Sequence, residues 1–282
     1  MAVKVLLILN PQKAASQKLA TEIKAVLVQR GIDVDFLSYT DKATKEYHYD
    51  IAFSLGGDGT VLFAARSVAK FGVPILPLNL GTLGFIASVH PLAWETVFKL
   101  WQDNKHEISP RIMLDINVER GGKHVFNLAA FNDAVISASG IAKTIRLEAA
   151  NNNMNLGSYR SDGLIVSTPT GSTAYCASAG GPILDPEMEA IILNPICPFT
   201  LLYRPLVLPA SETLTVKVVP DQRSGVLLTV DGQVTEALEP KDLIHISKTS
   251  YKAMLLGSDR NAFYKALHTK LAMLGEKQGG GG

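Results

Sequence analysis

The sequence predicts an α/β domain with a parallel sheet, followed by a strand-rich second domain. Three observations carry this reading. The first hundred residues alternate continuous apolar runs with amphipathic helical stretches, as a parallel sheet covered by helices requires. From Ile112 the apolar residues alternate one by one with polar ones, the period of half-buried strands. Near the C-terminus a single amphipathic stretch follows the strands, and a lone helix of that kind needs a surface to pack on, which assigns it back to the first domain.

The elements follow in order. Val3 to Leu9 is a continuous apolar strand running into Asn10-Pro11. Leu19, Ile23, Val26 and Leu27 mark one face of a helix closed by Gly31. Val34 to Leu37 and Ile51 to Leu55 are the next strands, Val61 to Lys70 a helix ending near Gly72, and Pro74 to Leu78 another buried strand. Pro91 opens a helix through Trp94, Val97, Phe98 and Trp101. In the second half, Ile112 to Val118 and Lys123 to Phe131 flank the Gly121-Gly122 turn as a hairpin. Further strands are expected at Thr144 to Ala149, Gly163 to Ser167, Thr213 to Val219, Gly225 to Val230 and Leu243 to Ser247, with a helix from Ala174 to Ala179. Ser258 or Asp259 caps a last helix carrying Phe263, Leu267, Leu271 and Leu274, ended by Gly275. The domains are therefore 1–108 with 258–276, and 109–257, leaving 277–282 as a flexible glycine-rich tail.

Composition excludes several classes. Lys and Arg number 27 against 26 Asp and Glu, a net charge of +1, where bulk nucleic-acid binding needs a concentrated basic surface. No run approaches the roughly 20 apolar residues of a membrane span, and the N-terminal apolar run is too short for a signal peptide. The expectation is a soluble, cytoplasmic protein. Two cysteines, Cys176 and Cys197, and six histidines form no metal-ligand spacing, so no protein-held metal is expected.

Two blocks carry chemistry. Gly56-Gly-Asp-Gly-Thr60 stands where a buried strand turns into a helix. Glycines there admit a ligand close to the backbone, and the helix start offers N–H groups to an anion. Gly56, Gly57 and Thr60 thus form a phosphate loop with a carboxylate, Asp58, inside it. The loop lacks the Lys-Ser/Thr of a P-loop and the G-x-G-x-x-G of a dinucleotide fold. The second block, Tyr159 to Tyr175, runs from a strand core into the hydroxyl-rich Thr168-Pro-Thr-Gly-Ser-Thr173 and then toward a helix, again suiting an anionic or hydroxyl-bearing ligand. Ala174, Tyr175 and Ser178 could line a flat pocket for a heterocycle. Asp231-Gly232 reads equally as a hairpin turn.

Seven pieces together resemble the NAD kinases over nearly the whole chain. They are Gly56-Gly-Asp-Gly-Thr60, Asn79-Leu-Gly-Thr-Leu-Gly-Phe85, Arg160 to Tyr175, Ser178-Ala-Gly-Gly-Pro182, Asn194-Pro-Ile-Cys-Pro198, Arg204-Pro-Leu-Val-Leu-Pro209 and Val230-Asp-Gly-Gln233. The resemblance implies a Rossmann-like α/β domain, a β-sandwich-like C-terminal domain and a last helix returning to the first. It implies transfer of the γ-phosphoryl of ATP to the 2′-hydroxyl of the adenosine ribose of NAD, with Mg²⁺ or Mn²⁺ arriving on the nucleotide, and a homodimer or homotetramer. Asp58 then orients the hydroxyl as base, or helps hold the metal; an Asp capping the following helix is the plain alternative. By the same resemblance Asp58 and Gly59 meet the dinucleotide, Asn132 and Asp133 its adenosine half, and Asp162 the nicotinamide ribose. Thr173, Ala174, Tyr175 and Ser178 form the adenosine pocket, Lys143 and Gln233 add contacts, and Arg160 leans the choice toward NAD over NADH. One departure stands out: the family usually has Asn-Glu where this chain has Asn132-Asp133, one methylene shorter.

Overall fold

The computed structural model describes residues 3–39, 48–81, 84–140, 143–152, 154–200 and 202–278, without the side chains of 271 and 273–278. The chain divides into two compact units, Met1–Arg111 with Lys252–Gly282, and Ile112–Tyr251.

The first unit holds strands β1 (Lys4–Leu9), β2 (Asp33–Ser38), β3 (Ile51–Gly56) and β4 (Ile75–Asn79), side by side in the order β2-β1-β3-β4 and all parallel. Their continuous apolar runs suit a sheet covered by helices on each side, and every residue of β3 is buried. Helix α1 (Ala14–Gln29) lays Ser16, Ala20, Ile23 and Leu27 on the sheet, one residue per turn of a single stripe. Helix α2 (Asp58–Val68) joins β3 to β4. A 3₁₀ turn at Pro91–Ala93 precedes α3 (Trp94–Gln102), whose Trp94 and Phe98 rings lie 5.9 and 5.4 Å from Phe53. Emptying that cluster by Phe53→Ala would cost about 3–5 kcal/mol.

The second unit packs two antiparallel sheets over one core. Here β5 (Ile108–Arg120) pairs with β6 (Lys123–Ala130) about the Gly121-Gly122 turn, where both glycines have positive φ. One sheet has the order β12-β11-β10-β7-β14-β15, from β7 (Asp133–Ala138), β10 (Gly163–Ser167), β11 (Ala190–Ile196), β12 (Leu206–Pro209), β14 (Val226–Val230) and β15 (Val234–Leu238). The other contains β8 (Ile145–Asn151), β9 (Met154–Ser161), β13 (Leu214–Val218) and β16 (Leu243–Leu256), with β5 pairing β16. Ile136, Val166, Leu193 and Leu228 of the first sheet share a core with Ile116, Leu147, Val216 and Ile244 of the second. This is the sandwich-like layer pair the resemblance implies.

Helix α5 (Arg260–Gln278) belongs to the first unit, with Phe263 buried and 5.9 Å from the Phe85 ring. Asp259 is its cap, its carboxylate accepting the Ala262 N–H at 2.8 Å. The helix runs past Gly275 to Gln278, so that glycine does not end it and the first two residues of the expected tail are helical. Residues 279–282 lie outside the described residues, as do the side chains of Leu271 and Leu274. The structure adds strands β7, β9, β11, β12 and β15 to those expected, and β16 extends to Leu256. The expected helix at Ala174–Ala179 is a single turn, α4 (Tyr175–Ser178), preceded by a 3₁₀ turn at Thr170–Thr173. The small, hydroxylic residues there spend their hydrogen bonds on turns rather than on propagating a helix.

Candidate functional site

In the first unit β3 delivers the chain into Gly56, where an added Cβ would lie 2.1 Å from Thr60 Oγ1, so the loop closes this tightly because residue 56 has no side chain. Thr60 is buried behind it, and its N–H donates to the Gly57 carbonyl at 2.9 Å. The N-cap of α2 is Gly57, with no side-chain cap, and Asp58 is the first helical residue. Asp58 therefore does not cap its own helix; its carboxylate reaches the chain after β4. Phe85 N–H donates to Oδ2 at 3.0 Å, and Ile86 and Ala87 N–H donate to Oδ1 at 3.2 and 2.8 Å. Gly84 makes room for this: a Cβ there would sit 2.1 Å from Asp58 Oδ1. The Asn79-to-Phe85 motif is thus the partner of the glycine loop, tied further by the Leu80 N–H to the Gly56 carbonyl at 2.9 Å. Thr82 and Leu83 lie outside the described residues.

A carboxylate has about four lone-pair positions, two on each oxygen. Among the described residues Oδ1 uses two and Oδ2 one, which leaves Oδ2 a position for one more donor. Gly59 is exposed at the start of the helix, next to that carboxylate.

In the second unit a cleft of about 390 Å³ is lined by Asn132, Asp133, Ala174 and Tyr175 among the expected residues. Val135, Ser137, Thr229, Asp231 and Gly232 line it too, and sequence reasoning had not placed them there. Strand period explains the first two: Asp133, Val135 and Ser137 face the cleft while Ala134 and Ile136 point into the sandwich core. That alternation was present in the sequence and could have been read.

Asp231 organises the cleft floor. It and Gly232 both have positive φ, and the Gln233 N–H closes the turn on the Val230 carbonyl at 2.9 Å, as a β14–β15 hairpin needs. Its buried carboxylate then accepts the N–H groups of Phe131, Asn132 and Asp133 at 2.7 to 3.2 Å. So Asp231 is more than a turn residue. With it so close, and with burial the larger cause, the Asp133 carboxyl is pushed up to about 7 from the usual carboxylate range. Burial likewise raises the Cys176 thiol to about 11, opposed by the Asn194 amide and aided by Asp133. Asn132 Oδ1 is buried with no hydrogen-bond partner among the described residues, an acceptor left for a ligand.

Hydroxyls of the Thr168–Thr173 loop, and of Ser167 before it, brace the backbone. Thr168 Oγ1 donates to the Phe131 carbonyl at 2.7 Å, Ser167 Oγ to the Asn132 carbonyl at 3.2 Å, and Ser172 Oγ to the Pro169 carbonyl at 2.6 Å. Those three hydroxyls are buried: the first two hold the backbone at residues 131–132, and that of Ser172 closes its own turn. Gly171 packs there too, since its Cβ would fall 2.2 Å from the Asn132 carbonyl oxygen.

The remaining expected residues are spread. Thr173 and Gln233 are half-buried and Ser178 exposed, none of them lining the cleft. Asp162 is half-buried beyond the end of β9, Lys143 is exposed, and Arg160 lines a separate polar cleft of the same unit. Among the described residues no group of three His, Cys, Asp or Glu could hold a metal ion, and no helix is long and apolar enough to cross a membrane.

A parallel α/β unit with an acid-bearing glycine loop, in one chain with a β-sandwich whose cleft offers buried polar groups, defines a two-domain protein built to handle nucleotides. Family models narrow this: one described as the ATP-NAD kinase N-terminal domain matches residues 35–105, and one described as the ATP-NAD kinase C-terminal domain matches 131–257. The chain belongs to the NAD kinase family. It is 43% identical over 277 residues to an NAD kinase of Treponema denticola, covering 96% of this chain and 97% of that one. An NAD kinase of Geobacter metallireducens is 40% identical over 222 residues, covering 79% and 78%. Among solved structures, a yeast NADH kinase complexed with NADH gives a TM-score of 0.85 at 23% identity, covering 96% of this chain and 88% of that one. An NAD kinase from Archaeoglobus fulgidus in complex with ATP gives 0.74 at 24%, covering 94% and 98%. These two share its fold.

Proposed function

We propose a residue-by-residue account of how this chain works as an NAD kinase. It transfers the γ-phosphoryl of ATP to the 2′-hydroxyl of the adenosine ribose of NAD, giving NADP. Such transfer rests on positioning and electrostatic stabilisation more than on covalent chemistry by the protein. The observation that carries the account is Asp58: three backbone N–H groups fix its carboxylate, and among the described residues one lone-pair position on Oδ2 stays available. In our reading that position accepts the hydroxyl proton and aims the oxygen at the phosphorus. The N–H bonds fix where the carboxylate points, so Asp58 acts by orientation first and takes the proton late, as a loose transition state allows.

Gly56, Gly57, Gly59 and Thr60 are assigned to the phosphates at the start of α2. Mg²⁺ or Mn²⁺ is assigned to the nucleotide as part of the substrate, supplying charge neutralisation at the phosphoryl oxygens. In the second unit Asn132 Oδ1 is assigned to a donor on the adenosine, with Asp133 beside it, and Ala174 and Tyr175 to the faces of the base. Thr173, Ser178, Gln233, Lys143, Asp162 and Arg160 are assigned to the rest of the dinucleotide on family resemblance, Arg160 toward NAD rather than NADH. We assign the protein to the cytoplasm, in keeping with two free cysteines. We also assign it to a homodimer or homotetramer: Leu206 and Val207 stand exposed on edge strand β12, a rim of the kind that self-association covers.

The test is NADP formation from NAD, ATP and Mg²⁺, with Asp58→Asn alongside. The variant keeps one acceptor oxygen for the backbone N–H groups but puts an NH₂ donor where the second oxygen was and loses the basicity, and kcat should fall about 10²–10⁴-fold. Unchanged kcat would remove Asp58 from this role.

A further inference from the structure

Strands β8 and β9 place Arg146 directly opposite Arg160. Like charges in that register are unfavourable unless something negative lies over them. A third arginine joins them. The Gln222 side chain clasps the Arg146 backbone, its Oε1 accepting the Arg146 N–H at 3.0 Å, and Arg146 Nη2 donates to the Asp221 carbonyl at 3.4 Å. This clasp fixes the 219–223 turn, with Asp221 at φ +59°, beside the hairpin and carries Arg223 to the same place.

Thr144, Arg146, Arg160, Asp221, Gln222 and Arg223 enclose a polar cleft of about 210 Å³. Three arginines and one aspartate line it. Among the described residues none of the three arginines forms an ion pair; Arg120, by contrast, pairs with both Glu239 and Asp242 at 2.8 Å. Arg160 is braced from the side, its guanidinium 4.6 Å from the Phe199 ring centre, which stiffens a long side chain ahead of binding. The volume is below the roughly 300 Å³ at which drug-sized pockets begin, so the occupant is small.

We propose that this cleft binds a small phosphoanion, with Arg146, Arg160 and Arg223 supplying forked N–H donors and Thr144 a hydroxyl. Guanidinium forks match phosphate oxygens two at a time, and the cross-strand pair presents two of them side by side. Free diphosphate and the diphosphate of a nucleotide share this chemistry. Arg160 also belongs to the residues assigned above to the dinucleotide, so the test leaves it in place.

Inorganic pyrophosphate and ADP are titrated separately by calorimetry into the full chain, at low salt and without divalent metal. The comparison is with the Arg146→Gln/Arg223→Gln double variant. Both substitutions are at exposed residues, and matching thermal unfolding curves establish that the fold is kept. At least a tenfold loss of affinity is expected, with NAD affinity unchanged within twofold. Loss for pyrophosphate identifies free diphosphate, and loss for ADP alone identifies the nucleotide. The Arg146→Lys/Arg223→Lys pair, which retains charge without the fork, should recover part of the affinity. Equal affinity of wild type and double variant for both ligands, or no binding of either to wild type, overturns the proposal. Because the readout is binding, the result is independent of whether the chain phosphorylates NAD.

Discussion

Asp133→Asn tests the electrostatics of the cleft most sharply. The wild-type carboxyl is 4% exposed and titrates at about 7 rather than 3.8, burial being the larger cause and Asp231 the second. The folded chain therefore holds a proton, between pH about 4 and 7, that the unfolded chain has released. Stability from this group is complete below about pH 4 and is lost as pH rises through 7. At about 1.4 kcal/mol per pH unit the full displacement corresponds to about 4 kcal/mol, and the span from pH 5 to 8 to about 2.5 kcal/mol. Asparagine is neutral throughout, so the variant should lack this slope. Denaturant unfolding followed by far-ultraviolet circular dichroism, at pH 5 and at pH 8, gives the comparison. Relative to wild type, the variant should gain about 2.5 kcal/mol on going from pH 5 to 8. Parallel pH profiles for the two proteins, or a carboxyl carbon of Asp133 titrating near 4 by NMR, would refute the reasoning.

Further outcomes follow from the same contacts. Gly84→Ala puts a methyl 2.1 Å from Asp58 Oδ1 and should displace that carboxylate, lowering kcat about 100-fold while NAD affinity in a calorimeter changes little. Asp231→Asn weakens its hold on the N–H groups of residues 131–133 and should cost about 2–3 kcal/mol of stability in urea, while bringing the Asp133 titration down from about 7. Gly171→Ala drives a methyl to 2.2 Å from the Asn132 carbonyl and should weaken NAD binding at least tenfold, or leave the chain insoluble.

What the sequence revealed depended on range. The strands and helices of the first unit were legible because each is a continuous apolar run or a single helical stripe, punctuated by Gly31, the 56–60 loop and Gly72. The glycine loop announced itself for the same local reason. Strands such as β7 and β9 escaped because Ala, Ser, Asn and Gly dilute their alternation, and their identity comes from partners across the sheet. Site geometry was less legible still. Asp58 meets amides 27 to 29 residues away, and Asp231 meets amides 98 to 100 residues away, contacts no local pattern encodes. The hydroxyls of residues 168–173 looked like ligand donors, yet those of Thr168, Ser172 and Thr173 are spent on backbone carbonyls. A Ser/Thr-rich turn writes the same sequence whether it binds or braces.

The most direct measurement is the coupled assay of NADP formation with NAD, ATP and Mg²⁺, using an NADP-specific dehydrogenase as reporter. Wild type should form NADP, and Asp58→Asn should fall by about 10²–10⁴-fold in kcat with its NAD affinity retained. No NADP from wild-type protein that binds NAD, or an Asp58→Asn variant as fast as wild type, would contradict the account.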